Sequence, residues 1–413
     1  MFKTWLVGFN LREYSPNIRR FYLFAIPTFA GMALFLLLYN LYLIRLGFRE
    51  DFIGEFTGVF ALASGVVAIP TGILSDRLGR KPFLVIATFC LAISHLGLCY
   101  FTQESLLLCL AFLGGAGAGF IYVNFIPFLG ENATPERRAQ AIAMWMGIQM
   151  LTRMIVNLTG GTFPDLMSYI TGLPTDLPEP FQYALLIGAG CSIIAIIPLM
   201  GIRNQPSHPP KPEDDVSQKL PTPWKNLSIF SSISAGRGLA MGLSFPFFNV
   251  FFHEELNTAT ATIGIIFSAS LAIGFPSTLA APGMLRKFGA SFTLIYVRAF
   301  GAVALTAMGL WLNFPFAVLL FLISTSIDSL TVPAEMAFAT NTIPRPYWAR
   351  LQSLRVTGFQ ALSALGSVVA GILIITYGYW LAFLLAGMAR LTSSIIFLTV
   401  FGHQQTGDGS KTE

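Results

Sequence analysis

The sequence predicts an all-α membrane protein with twelve transmembrane helices in two pseudo-symmetric six-helix bundles. Three observations predict it: 11% charged residues beside 54% hydrophobic ones, twelve apolar runs of spanning length, and a second half that repeats landmarks of the first. A soluble domain carries about 25% charged residues. A 413-residue chain with so little charge and a mean hydropathy of +0.67 must turn most of its surface to lipid. The 38 phenylalanines suit hydrocarbon and its interfaces.

An apolar run of about 20 residues crosses a bilayer as a helix. The first six runs are Phe21–Ile44, Phe52–Leu74, Phe83–Phe101, Leu106–Leu129, Ala139–Thr162 and Phe181–Met200. The second six are Leu227–Phe252, Ala259–Ala281, Ser291–Leu312, Phe316–Ala339, Leu351–Thr376 and Trp380–Val400. Residues 1–200 are therefore the expected N-terminal bundle and 226–413 the expected C-terminal one. Between them, residues 201–225 hold six prolines and scattered charge, a composition that builds no core and reads as a cytoplasmic linker.

The cations set the orientation. Eighteen of the 25 lysines and arginines fall on the face that bears both termini and the linker. Only Arg45 and Arg49 lie in the opposite loops, and Arg153, Arg237, Arg298, Arg355 and Arg390 lie inside spans. Cytoplasmic loops retain the cations, so both termini are expected inside a bacterial-type inner membrane. The net charge of +5 is thus topological and implies no nucleic-acid partner. The longest outer loop, Pro164 to Pro180, carries Asp165, Asp176 and Glu179 and no cation. The N-terminal stretch, broken by Arg12, Glu13, Arg19 and Arg20, has no pattern of a cleaved signal.

The halves repeat about 210 residues apart. Tyr39-Asn40 recurs as Phe248-Asn249, Gly72 and Gly79 as Gly283 and Gly289, Asn132-x-x-Pro135 as Asn341-x-x-Pro344, and Gly147-x-Gln149 as Gly358-x-Gln360.

The stretch between the second and third runs reads Gly72-Ile73-Leu74-Ser75-Asp76-Arg77-Leu78-Gly79-Arg80-Lys81-Pro82. This pattern, in this place, resembles the signature loop of the major facilitator superfamily, and the resemblance covers essentially the whole chain. It implies a secondary transporter working by alternating access, with parallel six-helix repeats about an axis along the membrane normal. It also implies that helices 1, 4, 7 and 10 line the cavity, that helices 2, 5, 8 and 11 flank it, and that helices 3, 6, 9 and 12 support it. The loop residues Gly72, Asp76, Arg77, Gly79, Arg80 and Lys81 would form a cytoplasmic latch between the halves in the outward-open state, Asp76 facing the start of helix 11 and the cations engaging acids such as Glu131 or Glu136. Two features depart from proton-antiporting members: helix 4 has no arginine between Ala111 and Gly119, and of a G-P-x-x-G-G ending helix 5 keeps only Gly160-Gly161. The small residues of helix 4 suit tight helix packing.

Ionisable groups at membrane depth are costly and mark functional sites. Asp328 and Glu335 in helix 10 are the proton-coupling candidates, because a cavity that removes water from a carboxyl makes its proton easier to hold. The structural counter-reading is an Asp328–Arg237 pair that locks two helices. Substrate-binding candidates are Arg237, Arg153, Asn40, Asn249, Gln149, Gln360 and Asn124, with Met146, Met150, Phe245, Phe247, Phe248 and Met336 as apolar walls. Arg298, Arg390 and His95, on supporting helices, are expected to be packing or interfacial groups. The four cysteines and four histidines form no ligand set, and no phosphate-cradling loop follows a strand. The expectation is therefore no enzyme, no metal and no cofactor. The expected partners are a small-molecule substrate, a proton or other coupling ion and the lipid bilayer, with one chain as the unit. The leading reading is proton-coupled export of a small organic solute. The alternatives are movement of an organic anion or lipid-like substrate by the arginines, and a non-transporting sensor or scaffold.

Overall fold

The computed structural model describes residues 14–203, 223–344 and 347–401. Most of the expected linker lies outside the described residues. Helix α1 (Pro16–Arg45) starts five residues ahead of its apolar run because the Ser15 hydroxyl caps it, accepting from the Ile18 amide, and Pro16 pre-sets its first turn. Then follow α2 (Glu50–Leu78), α3 (Arg80–Tyr100), α4 (Glu104–Asn132), α5 (Arg138–Gly160) and α6 (Pro178–Met200). The second half holds α7 (Trp224–Ser244), α8 (Thr260–Gly289), α9 (Phe292–Leu310), α10 (Phe314–Thr342), α11 (Trp348–Tyr377) and α12 (Tyr379–Phe401). The outer loop after α5 is not plain coil, since Phe163–Thr171 forms a short helix.

Two boundaries differ from expectation. The signature stretch is helical up to Leu78, and the whole turn is Gly79, with φ 87° and ψ 163°. That conformation is open to glycine and strained for other residues. Its repeat, Gly289, adopts φ 78° and ψ 167° between α8 and α9. The second difference is α7. Among the described residues eleven helices are apolar and long enough to cross a membrane, and α7 falls short. Its serines and Arg237 dilute it, and Pro246 interrupts it in the 3-10 turn Phe245–Phe247 before it resumes as Phe248–Glu254.

Lipid gives helices no hydrophobic reason to associate, so small residues that let backbones touch carry the packing. A side chain on Gly115 or Gly119 of α4 would run into the α2 backbone at Phe60 and Ser64. A side chain on Gly238 or Gly242 of α7 would strike the α11 backbone at Phe359 and Ser363. The small-residue run of helix 4 therefore packs as its composition indicates.

The bundles meet at one end. The largest apolar core joins Leu34–Leu43 of α1, Phe52 and Phe56 of α2, Phe247–Phe252 of α7 and Phe321 of α10. This lies at the end opposite the start of α1, called the outer end, and the other the inner end, after the cation distribution. At the inner end the apolar core divides. One cluster, around Phe21, Phe24 and Trp145, belongs to the first bundle, and another, around Phe230, Phe338 and Phe397, to the second. Along α2, the side of Gly54, Gly58 and Gly65 touches α11, while a Cβ on Gly72, two turns further in on the same side, meets nothing within 4 Å. The bundles thus splay towards the end where α1 begins and α12 ends.

Candidate transport cavity

Between the bundles lies a cavity of about 380 Å³. The α1 wall contributes Phe29, Met32, Phe35, Leu36, Tyr39 and Asn40, a helical spacing that puts them on one side. Phe56, Thr57 and Phe60 of α2 add to it, as do Met241, Phe245, Pro246 and Asn249 of the α7 segment, Phe267 of α8, and Phe359, Gln360, Ser363 and Ser367 of α11. Tyr122 of α4 and Arg153 of α5 complete the side near α1. The walls are mainly apolar and rich in aromatic rings, with a few amides and hydroxyls, one cation and no carboxylate among the described residues.

Two reciprocal hydrogen bonds close the outer end. Asn40 Nδ2 donates to the Pro246 carbonyl at 2.6 Å, and Asn249 Nδ2 donates to the Leu37 carbonyl at 3.0 Å. The repeat noted between Tyr39-Asn40 and Phe248-Asn249 is therefore a symmetric clasp of α1 and α7. Pro246 makes it possible, since the break it imposes leaves carbonyls without helical donors. Beyond the clasp, the Thr258 carbonyl occupies His253 Nδ1–H at 3.0 Å, so Nε2 is the lone pair that accepts from Arg45 Nη2 at 2.9 Å.

The intramembrane charges are arranged differently from expectation. Asp328 does not pair with Arg237; its carboxylate meets Arg390 Nη2 of α12 at 2.7 Å. Arg390 also donates from Nη1 to Ser324, one turn away on α10, at 2.7 Å. Glu335 has no exposure and binds three arginines: Arg298 of α9 at 2.7 Å, Arg355 of α11 at 2.7 Å and Arg237 of α7 at 3.5 Å. Arg355 Nε donates to Ser234 at 3.0 Å, and the Arg237 guanidinium lies 5.9 Å from the Phe359 ring centre. The reason is geometric. Ser324, Asp328, Thr331 and Glu335 are spaced 4, 3 and 4 residues apart on one face of α10, and that face turns into the C-terminal bundle. Glu335, Asp328 and Arg237 are accordingly not among the residues that line the cavity. Arg298 and Arg390, expected to be packing or interfacial groups, carry ion pairs inside the C-terminal bundle, and Arg355, unremarked in the sequence beyond its place in a span, carries another.

The other candidates divide. Arg153, Asn40, Asn249, Gln360 and Phe245 stand in the cavity wall. Gln149 and Met150 are half-buried outside it. Asn124 is buried in its own helix and donates to the Phe120 carbonyl at 2.8 Å. Phe247 and Phe248 belong to the outer core, Met146 is exposed, and Met336 contacts Arg355. His95, expected to be a packing or interfacial group, packs by stacking on Phe35 at 3.9 Å and bonding Ser192 at 2.7 Å, yet it also borders the cavity. The aromatic spacing of α1 was the available signal for the wall that sequence reasoning missed.

At the inner end, Arg80 ties three helices. Its guanidinium binds Asp76, the Ser75 hydroxyl at 2.5 Å and Glu131 of α4 at 3.1 Å. In this splayed form Asp76 pairs within the first bundle, and the contact with the start of α11 is an expectation for the outward-open form. Exposed Glu136 takes no part in this; its carboxyl is held below its usual range by its own backbone amide and the Thr134 hydroxyl, with Arg138 and Arg137 adding less. A buried, forked cation with three acceptors is poorly replaced. Arg80→Ala is expected to cost about 1.5–3 kcal/mol, read as a lower melting temperature in detergent. Arg80→Lys should recover only part of it, because an ammonium cannot span the same acceptors.

Two bundles that close on one side of a central cavity and part on the other define the class: a membrane transporter. The sequence from 21 to 340 matches the model of the Major Facilitator Superfamily, and the chain belongs to that family. It is 25% identical over 160 residues to the multidrug resistance protein MdtL of Shewanella sp. (strain ANA-3), a match spanning 39% of this chain and 37% of that protein. The fold also matches solved structures of a D-xylose–proton symporter (TM-score 0.73, 14% identity, 93% of this chain and 98% of that one) and of the nucleoside transporter NupG (TM-score 0.70, 16% identity, 94% and 99%).

Proposed function

We propose that this transporter exports a small, largely apolar organic solute across the cytoplasmic membrane in exchange for protons, cycling between this inward-open form and an outward-open one. The observation that carries the reading is the cavity: about 380 Å³, mainly apolar with many aromatic rings, closed on the outside by the asparagine clasp. Ligand pockets of this kind run from about 300 to 1,000 Å³ and combine apolar walls with few polar anchors. The cation distribution supports a cytoplasmic inner end and cytoplasmic termini, and likeness to a multidrug resistance protein over part of the chain favours export.

Asp328 is the coupling carboxyl in this reading, with Glu335 in a structural role. Asp328 has one cationic partner and a side chain 37% exposed, while Glu335 is fully enclosed by three guanidinium groups. Loading a proton on Asp328 would release Arg390 and loosen α10 from α12. The test is Asp328→Asn in proteoliposomes. Proton-driven transport of a dye-like substrate should fall at least tenfold while substrate binding persists. Full proton-driven transport by the variant removes Asp328 from the coupling role. Absence of flux under any gradient in the wild type would instead favour a non-transporting sensor.

A further inference from the structure

We infer that the substrate is an organic anion with a compact aromatic body, and that Arg153 holds its anionic group; the inference rests on the proposed transport through this cavity. Among the described residues Arg153 is the one cation that lines the cavity, and no aspartate or glutamate lines it. Every other arginine singled out at membrane depth has an acidic partner: Arg237, Arg298 and Arg355 at Glu335, and Arg390 at Asp328. Arg153 makes no ion pair or hydrogen bond among the described residues, although it is half-buried in a wall that also holds Phe29, Met32 and Tyr122.

A guanidinium cannot shed its charge at any pH a cell reaches. Left alone in a low-dielectric cavity it is costly, and the chain places no counter-charge there to offset it. The group that completes the site must then arrive with the ligand. A carboxylate, sulfonate or phosphate meets a guanidinium by two parallel charge-assisted hydrogen bonds. The aromatic walls define the remainder, one or two rings, since the volume is near the lower end for small-molecule sites. Gln360, Ser363 and Thr57 line the same space and can serve neutral polar substituents. A cationic amphiphile finds no carboxylate in these walls and a fixed positive charge instead, so the site discriminates by sign.

Three probes sharing one ring system separate the possibilities: 1-naphthoate, 1-naphthamide and 1-naphthylmethylammonium. Binding to the full-length protein in detergent is measured by titration calorimetry. The acid should bind at least tenfold more tightly than the amide, and the amine most weakly. Arg153→Gln should abolish the preference for the acid and leave the amide unchanged, and Arg153→Lys should keep a reduced preference. Unliganded melting temperatures of both variants, matched to wild type, confirm that they fold. Equal binding of all three, tightest binding of the amine, or an acid preference that survives Arg153→Gln overturns the inference while transport through the cavity stands. Failure of all three to bind overturns the aromatic-acid assignment. Loss of dye export by the wild type would count against the transport reading instead.

Discussion

Glu335→Gln is expected to lower stability by about 3–5 kcal/mol, the scale set by breaking a buried charge pair from one side. Glu335 is the acid that meets Arg298, Arg355 and Arg237, and those residues are 2%, 8% and 17% exposed at their side chains. Without the carboxylate, three guanidinium groups face one another across the junction of α7, α9, α10 and α11. Two like charges about 4 Å apart repel by about 4 kcal/mol at an effective dielectric of 20. The cluster is already rich in donors, for Arg298 Nη1 is buried with no hydrogen-bond partner among the described residues. Arg237→Met should behave in the opposite way and cost less than about 1 kcal/mol, because its pairing is the longest and most solvated and its removal relieves repulsion. Melting temperatures in detergent check both. A Glu335→Gln protein as stable as wild type would mean that the carboxyl is already protonated and that no such cluster of charges exists.

Parts of this architecture could be read from residue order because they are local or periodic. The spans follow from hydropathy, and the repeat of Asn40 as Asn249 marked two equivalent positions, although not that their side chains would clasp α1 to α7. Gly79 and Gly289 announced turns, although not that the turn would shrink to one residue and leave Ser75–Leu78 helical. What the sequence concealed depends on how helices rotate against one another. A carboxylate on α10 can face a cavity or a bundle interior with the same hydropathy, so the partners Arg298, Arg355 and Arg390, on α9, α11 and α12, were invisible. The aromatic stripe of α1 suffers the same ambiguity, since phenylalanines also face lipid. Which end of the cavity is shut is a property of one state in a cycle, and no single residue states it.

That state has a physical signature in four glycines, which leads to the second large effect. A Cβ built on Gly54 of α2 stands 3.2 Å from the Gly371 Cα of α11, and one built on Gly264 of α8 stands 3.2 Å from the Gly161 Cα at the end of α5. The two seams occupy equivalent places in the two halves, and both lie at the outer end. Each also presses on a rigid carbonyl, Ser367 against Gly54 and Asn157 against Gly264. Backbone cannot swing aside as a side chain can, so a branched residue in either seam forbids outer closure. It should leave each bundle intact, because the clash lies between them. Gly54→Val and Gly264→Val are therefore expected to trap the outward-open form: transport down at least tenfold, with melting temperature within a few degrees of wild type. A Ser363→Cys reporter in the cavity wall, in a protein whose four native cysteines are replaced, makes the trap visible. A membrane-impermeant maleimide added from outside should label it readily in the valine variants and slowly without them. Undiminished transport by Gly54→Val, or equal labelling in both backgrounds, would show that these contacts are incidental to the cycle. Loss of both transport and folding would place the clash within a bundle, against the geometry described.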